Sequence, residues 1–84
     1  MLHPQVYKFQ YTRRQGLERT YDVMLNVVQW ECGVFSYESW VHYAHQFKGN
    51  GLVFPLAART ADDAAAEALA RIEDSIENLA GVAE

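Results

Sequence analysis

The chain has 84 residues, 50% of them hydrophobic and 21% charged, with a net charge of −4. A chain this short buries only roughly 60–65% of its unfolded surface, which excludes anything beyond one thin core and a single domain, residues 1–84, with 1–5 and 81–84 as loose ends. One cysteine excludes an internal disulfide framework, and no segment has transmembrane length or a signal-peptide core, so a cytoplasmic protein with no membrane partner is expected.

Val6–Thr12 places Tyr7, Phe9 and Tyr11 on one side and Lys8, Gln10 and Thr12 on the other, the two-residue period of a strand. A charged connection, Arg13–Arg19 around Gly16, follows. Tyr21–Glu31 alternates again, with Tyr21, Val23, Leu25 and Val27 on one side. Its reverse side, Met24, Asn26, Val28 and Trp30, is unusually apolar for a solvent face. Cys32-Gly33 marks a tight turn, and Val34–Ala44 reads as the returning strand of a hairpin. The same stretch also fits a helical stripe through Trp40, Tyr43, Ala44 and Phe47, capped by Ser36 or Ser39. The abundance of Val, Phe, Tyr and Trp and the Gly33 turn favour the strand.

Lys48-Gly49-Asn50-Gly51 has the composition of a turn, so a short fourth strand is expected at Leu52–Ala57. Pro55 cannot donate to a ladder and assigns that strand to an edge. The helix comes last. Thr60 is a good N-cap, with Asp63 three residues on, and Ala65, Leu69, Ile72, Ile76 and Leu79 recur at helical spacing on one stripe. The expected fold is α+β: an antiparallel four-stranded sheet with one C-terminal amphipathic helix packed on one face. Its core partners are Tyr7, Phe9, Val23, Leu25, Val27, Tyr37, Val41 and Tyr43.

Two surfaces remain. The sheet's other face carries Met24, Val28, Trp30 and Trp40 with nothing left in the chain to cover them. A contiguous apolar patch of this kind marks a partner or a dimer interface, a second copy being the economical occupant. On the helix, Asp63, Glu67, Asp74 and Glu77 line up around Ala70 over about 21 Å of helical rise. Residues 59–84 hold Arg59 and Arg71 against seven carboxylates, a balance of 2 − 7 = −5, while residues 1–58 stand at 5 − 4 = +1. Such a face repels nucleic acid directly. It reads either as a solvated surface or as a docking face for a protein partner with a basic surface.

Chemistry has little to build on. His42 and His45 form His-x-x-His, but on a strand the two point to opposite faces, and no carboxylate pair or second cysteine stands at ligand spacing. Cys32 lies in a Glu-Cys-Gly turn without the surroundings of a nucleophile. Gly49-Asn50-Gly51 is too short to cradle a phosphate and opens a strand rather than a helix. No enzyme activity, cofactor or metal is expected.

The run from Gly51 through Arg59-Thr60-Ala61-Asp62-Asp63-Ala64 to Ile72 resembles the strand-turn-helix end of HicB-like antitoxin domains. Phe54-Pro55-Leu56 stands where that family has Leu-Pro-Gly, and the likeness extends over residues 20–79. Gly51 followed by an Ala-rich helix also looks like the end of a double-stranded-RNA-binding domain. Asp62 and Asp63 occupy the place of that family's phosphate-gripping lysines, which removes the function. In overall type the chain is similar to the small acidic inhibitors of phages and mobile elements, the anti-CRISPR proteins in particular: single domains with a small sheet, a helix and no enzyme motif. That likeness implies a non-enzymatic inhibitor of a nucleic-acid-handling complex; the alternatives are a HicB-like antitoxin or regulatory domain and a small structural dimerisation module.

Overall fold

The computed structural model describes residues 3–84. Four strands and one helix follow in chain order: β1 His3–Thr12, β2 Thr20–Gln29, β3 Phe35–Tyr43, β4 Gln46–Pro55 and α1 Ala61–Glu77. The strands form one antiparallel meander in the order β1-β2-β3-β4. The fold is therefore the α+β sheet-and-helix arrangement that the alternation implies, and residues 36–43 are strand rather than helix.

One face of the sheet and the helix enclose the core. Tyr21, Val23, Leu25 and Val27 of β2, and Phe35, Tyr37 and Val41 of β3, are buried with Ala64, Ala68, Ile72 and Ile76 of the helix. Tyr7, Phe9, Tyr11, Tyr43 and Phe54 pack around its rim and are only partly buried. The buried helix row differs from the stripe expected around Ala65, Leu69 and Leu79. It runs at strict four-residue steps, with small alanines at the amino-terminal half and isoleucines after them, in one core with the large side chains of Phe35, Tyr37 and Leu56. Leu79 lies beyond the helix. Its φ of 52° puts it at the left-handed position of a Schellman ending, in which the Leu79 and Ala80 amides donate to Ile76 and Ser75.

The turns follow physical needs that the residue types only partly announce. Gly33, at φ 90°, closes the β2–β3 hairpin, its amide donating to the Trp30 carbonyl. The β3–β4 turn is Ala44-His45, both at positive φ, and not the Lys48–Gly51 run, which lies inside β4. There the glycines serve a different need. β4 slips register against β3 twice, between Glu38 and Trp40 and between Val41 and His42, so it carries bulges instead of a turn. At Gly49 a Cβ would overlap the Gly81 carbonyl oxygen, because the segment after the helix lies directly against this strand. Pro55 ends β4, which is an edge strand as its proline requires.

The last residues, expected to be loose, are built into the fold. Val82 is buried, the Ala83 amide donates to the Lys48 carbonyl at 2.8 Å, and the Glu84 carboxylate accepts from the Arg13 guanidinium and the Leu17 amide. Residues 3–5, expected to be loose at the other end, belong to β1, and residues 1–2 lie outside the described residues.

Candidate functional site

Cross-strand pairing arranges the outer sheet face in rows. Lys8, Met24 and Trp40 lie side by side; the next row is Val6, Asn26, Glu38 and Val53; the next is Pro4, Val28, Ser36 and Pro55. The four residues expected to form one patch thus divide in two. Met24 and Trp40 are directly opposite each other. Val28 lies beyond the Asn26–Glu38 row, beside Ser36, whose hydroxyl accepts from the Trp30 indole N–H at 2.8 Å. Met24 is 37% exposed and Trp30 44%, while Val28 and Trp40 are half-buried by neighbouring side chains.

Between these lobes Asn26 Nδ2 donates to Glu38 Oε1 at 3.1 Å. Asn26 Oδ1 is buried without a donor, and no basic side chain pairs with Glu38 among the described residues. A shallow groove of about 330 Å³, lined by Pro4, Asn26, Val28, Trp30, Ser36, Glu38 and Val53 among others, runs over this polar centre. The half-buried Glu38 carboxylate, set among apolar side chains, is suited to receive an N–H donor.

The helix carboxylates also separate into two kinds. Asp63 and Asp74 are exposed; Asp74 accepts only from Asn78 one turn later. Glu67 and Glu77 hold the fold together instead. Glu67 accepts from the Ala57 and Ala58 amides in the link between β4 and the helix and pairs with Arg71. Glu77 accepts from the Tyr11 hydroxyl, the Arg14 amide and the Gln15 side chain, and the Tyr11 bond leads the causes that hold its carboxyl below the usual value.

Sequence reasoning did not single out Arg13. Its side chain is buried, and Nε and Nη2 donate to the Ile76 and Glu77 carbonyls at 2.8–3.2 Å while Nη1 meets Glu84 at 2.8 Å. The helix has no basic residue in its last turn, so this arginine from the β1–β2 connection supplies the positive charge that a helix carboxyl end favours. No local pattern signals that, because the partners lie more than sixty residues away.

The histidines are brought closer than a straight strand allows. His42 stands on the outer face against Phe47, and the Ala44-His45 turn swings His45 to the border of the same open depression of about 520 Å³, with Lys8, Gln10, Asp22 and Met24. Among the described residues no group of three or more His, Cys, Asp and Glu is placed to hold a metal ion. Cys32 is exposed in its hairpin turn. No described helix is long and apolar enough to cross a membrane. No protein-family model matches the chain, and no curated protein or solved structure matches it either.

Proposed function

We propose that the chain is a non-enzymatic, protein-binding inhibitor that docks its outer sheet face on a partner with a basic surface. The partner class that fits is a nucleic-acid-handling complex, inhibited in the anti-CRISPR manner. One observation carries the reading: the centre of the bare face holds a half-buried carboxylate, Glu38, with no cation paired to it among the described residues, flanked by the apolar lobes Met24/Trp40 and Val28/Trp30. Aromatic lobes around a desolvated polar contact are the composition of a binding hot spot. A lysine or arginine from the partner pairs with the half-buried Glu38 carboxylate, and proteins that hold a nucleic-acid backbone present such side chains. The exposed carboxylates Asp63 and Asp74 belong to the helix, on the other side of the sheet from this docking face, and take no part in it.

The test is interference with DNA binding by purified CRISPR effector complexes. Wild-type chain should inhibit; Trp40→Asp and Glu38→Lys should weaken inhibition by about tenfold or more, equivalent to 1.4 kcal/mol. Asp63→Lys with Asp74→Lys, on the side of the molecule away from the docking face, should change inhibition far less than the sheet-face variants. Undiminished inhibition by both sheet-face variants overturns the docking mode, and inactivity of the wild type against every effector class overturns the partner. The direct entry from β4 through Pro55 into a Thr60-capped helix favours one rival, a HicB-like antitoxin. Neutralisation of a toxin encoded alongside, in coexpression, would decide for it.

A further inference from the structure

We infer that β1 is a pairing edge whose occupant is β1 of a second copy of this chain, antiparallel and centred on Phe9. The two edges of the sheet differ in kind. β4 is closed to a further strand by its two register slips, by Pro55, and by the segment after the helix, whose Ala83 amide occupies the Lys48 carbonyl. β1 pairs with β2 over ten consecutive residues, His3 to Thr12, without a slip; its own Pro4, which has no N–H, lies outside the Val6–Thr12 stretch that a pair centred on Phe9 uses, and no described strand lies on its far side. A long, regular edge is a template for another strand, since its outward N–H and C=O groups have the spacing only a strand matches.

The helix position identifies the second copy. The helix packs against β2 and β3 and leaves the inner side chains of β1, Tyr7, Phe9 and Tyr11, half-buried at the rim. An edge-on copy extends the same two-layer arrangement, so each aromatic row covers the other. Face segregation restricts the register, because residues opposite each other must share a face. Centring on Lys8 opposes two lysines, which is unfavourable. Centring on Tyr7 sets Phe9 against Gln5 of the other copy. Centring on Phe9 opposes Phe9 to itself and Tyr7 to Tyr11, an unbroken aromatic row, and sets Lys8 against Gln10 on the outer face. The resulting eight-stranded sheet presents two outer faces side by side and leaves both available for docking.

The experiment uses the full chain without any partner, in a Cys32→Ser background because Cys32 is exposed. Sedimentation should show a concentration-dependent dimer. Lys8→Cys and Gln10→Cys, both at exposed positions, are then oxidised separately and as a mixture. The mixture should form a cross-linked heterodimer about tenfold faster than either variant alone forms a homodimer, since only positions 8 and 10 lie within the Cα separation of a disulfide. Trp40→Asp should leave the dimer intact. A monomer at every concentration, equal cross-linking in all three samples, or a dimer dissociated by Trp40→Asp overturns the proposal. Because no partner is present, none of these outcomes depends on the inhibitor reading.

Discussion

The two faces of the sheet are made from the same strands and differ in what decides them. Along β2, Tyr21, Val23, Leu25 and Val27 are 0–3% exposed, while their neighbours Asp22, Met24, Asn26 and Val28 turn the other way. Along β2 the inner side is specified by alternation alone, because Tyr21, Val23, Leu25 and Val27 are all apolar and a one-residue slip would expose all of them. On the outer face alternation identifies the residues but not their arrangement. There Asn26 and Glu38 come opposite each other, and an apparently continuous patch becomes two lobes with a hydrogen-bonded polar pair between. The lesson is that a surface site resides in cross-strand pairing, which one strand's pattern does not contain.

The largest effect expected from breaking this contrast lies inside. Ile72 is 2% exposed in the middle of the buried helix row, so Ile72→Asp places a carboxylate in an apolar core with no partner. The cost is about 4 kcal/mol or more, enough to unfold a domain this small. Near-wild-type melting of that variant would show that the helix does not cover the sheet.

Most of this inner layer was legible in the sequence: the succession of four strands and a helix, the hairpin at Gly33, the Thr60 cap and the side of β2 that is buried. Two kinds of feature were not. Lys48–Gly51 has turn composition, yet its glycines are needed where β4 bulges and where Gly81 presses on Gly49, while Ala44-His45 turns without a glycine. Positive φ is the shared requirement, and residue type does not say whether a turn or a bulge imposes it. The acidic helix face was legible as a row but not in its roles. Glu67 and Glu77 are engaged by backbone amides and side chains of segments whose approach is set only by the finished fold.

An intermediate effect is expected where the helix end is fastened. Glu77 and Glu84 both sit below the ordinary glutamate value of 4.5, Glu77 chiefly through the Tyr11 hydroxyl and Glu84 chiefly through the Leu17 amide. A carboxyl with a lowered folded-state pKa binds its proton more weakly when folded. Its contribution to stability is therefore present above the ordinary value and lost as pH falls through the lowered one. Stability measured by denaturant midpoint should decline below pH 4.5, and the decline should be shallower in Glu77→Gln and shallower still with Glu84→Gln added. An unchanged acid limb in the double variant would mean that these bonds do not fasten the helix end in solution.

The smallest effect on stability should come from the outer face, with its sign reversed. Asn26 and Glu38 are directly opposite each other, and the pair leaves Asn26 Oδ1 buried without a donor. Replacing only one of them strands the other's polar atoms, whereas replacing both by valine removes the unsatisfied acceptor and suits a pleated surface. The double variant Asn26→Val/Glu38→Val should be neutral to about 1 kcal/mol more stable than wild type, read by thermal melting at low concentration. In the inhibition assay it should be weaker, because a more apolar centre gains nothing from a partner's cation and leaves that cation unpaired in the interface. A polar pair that lowers stability yet serves binding is the trade expected of a recognition site. If the double variant is more stable and also inhibits as well as wild type, the Glu38 carboxylate is not the contact that selects the partner.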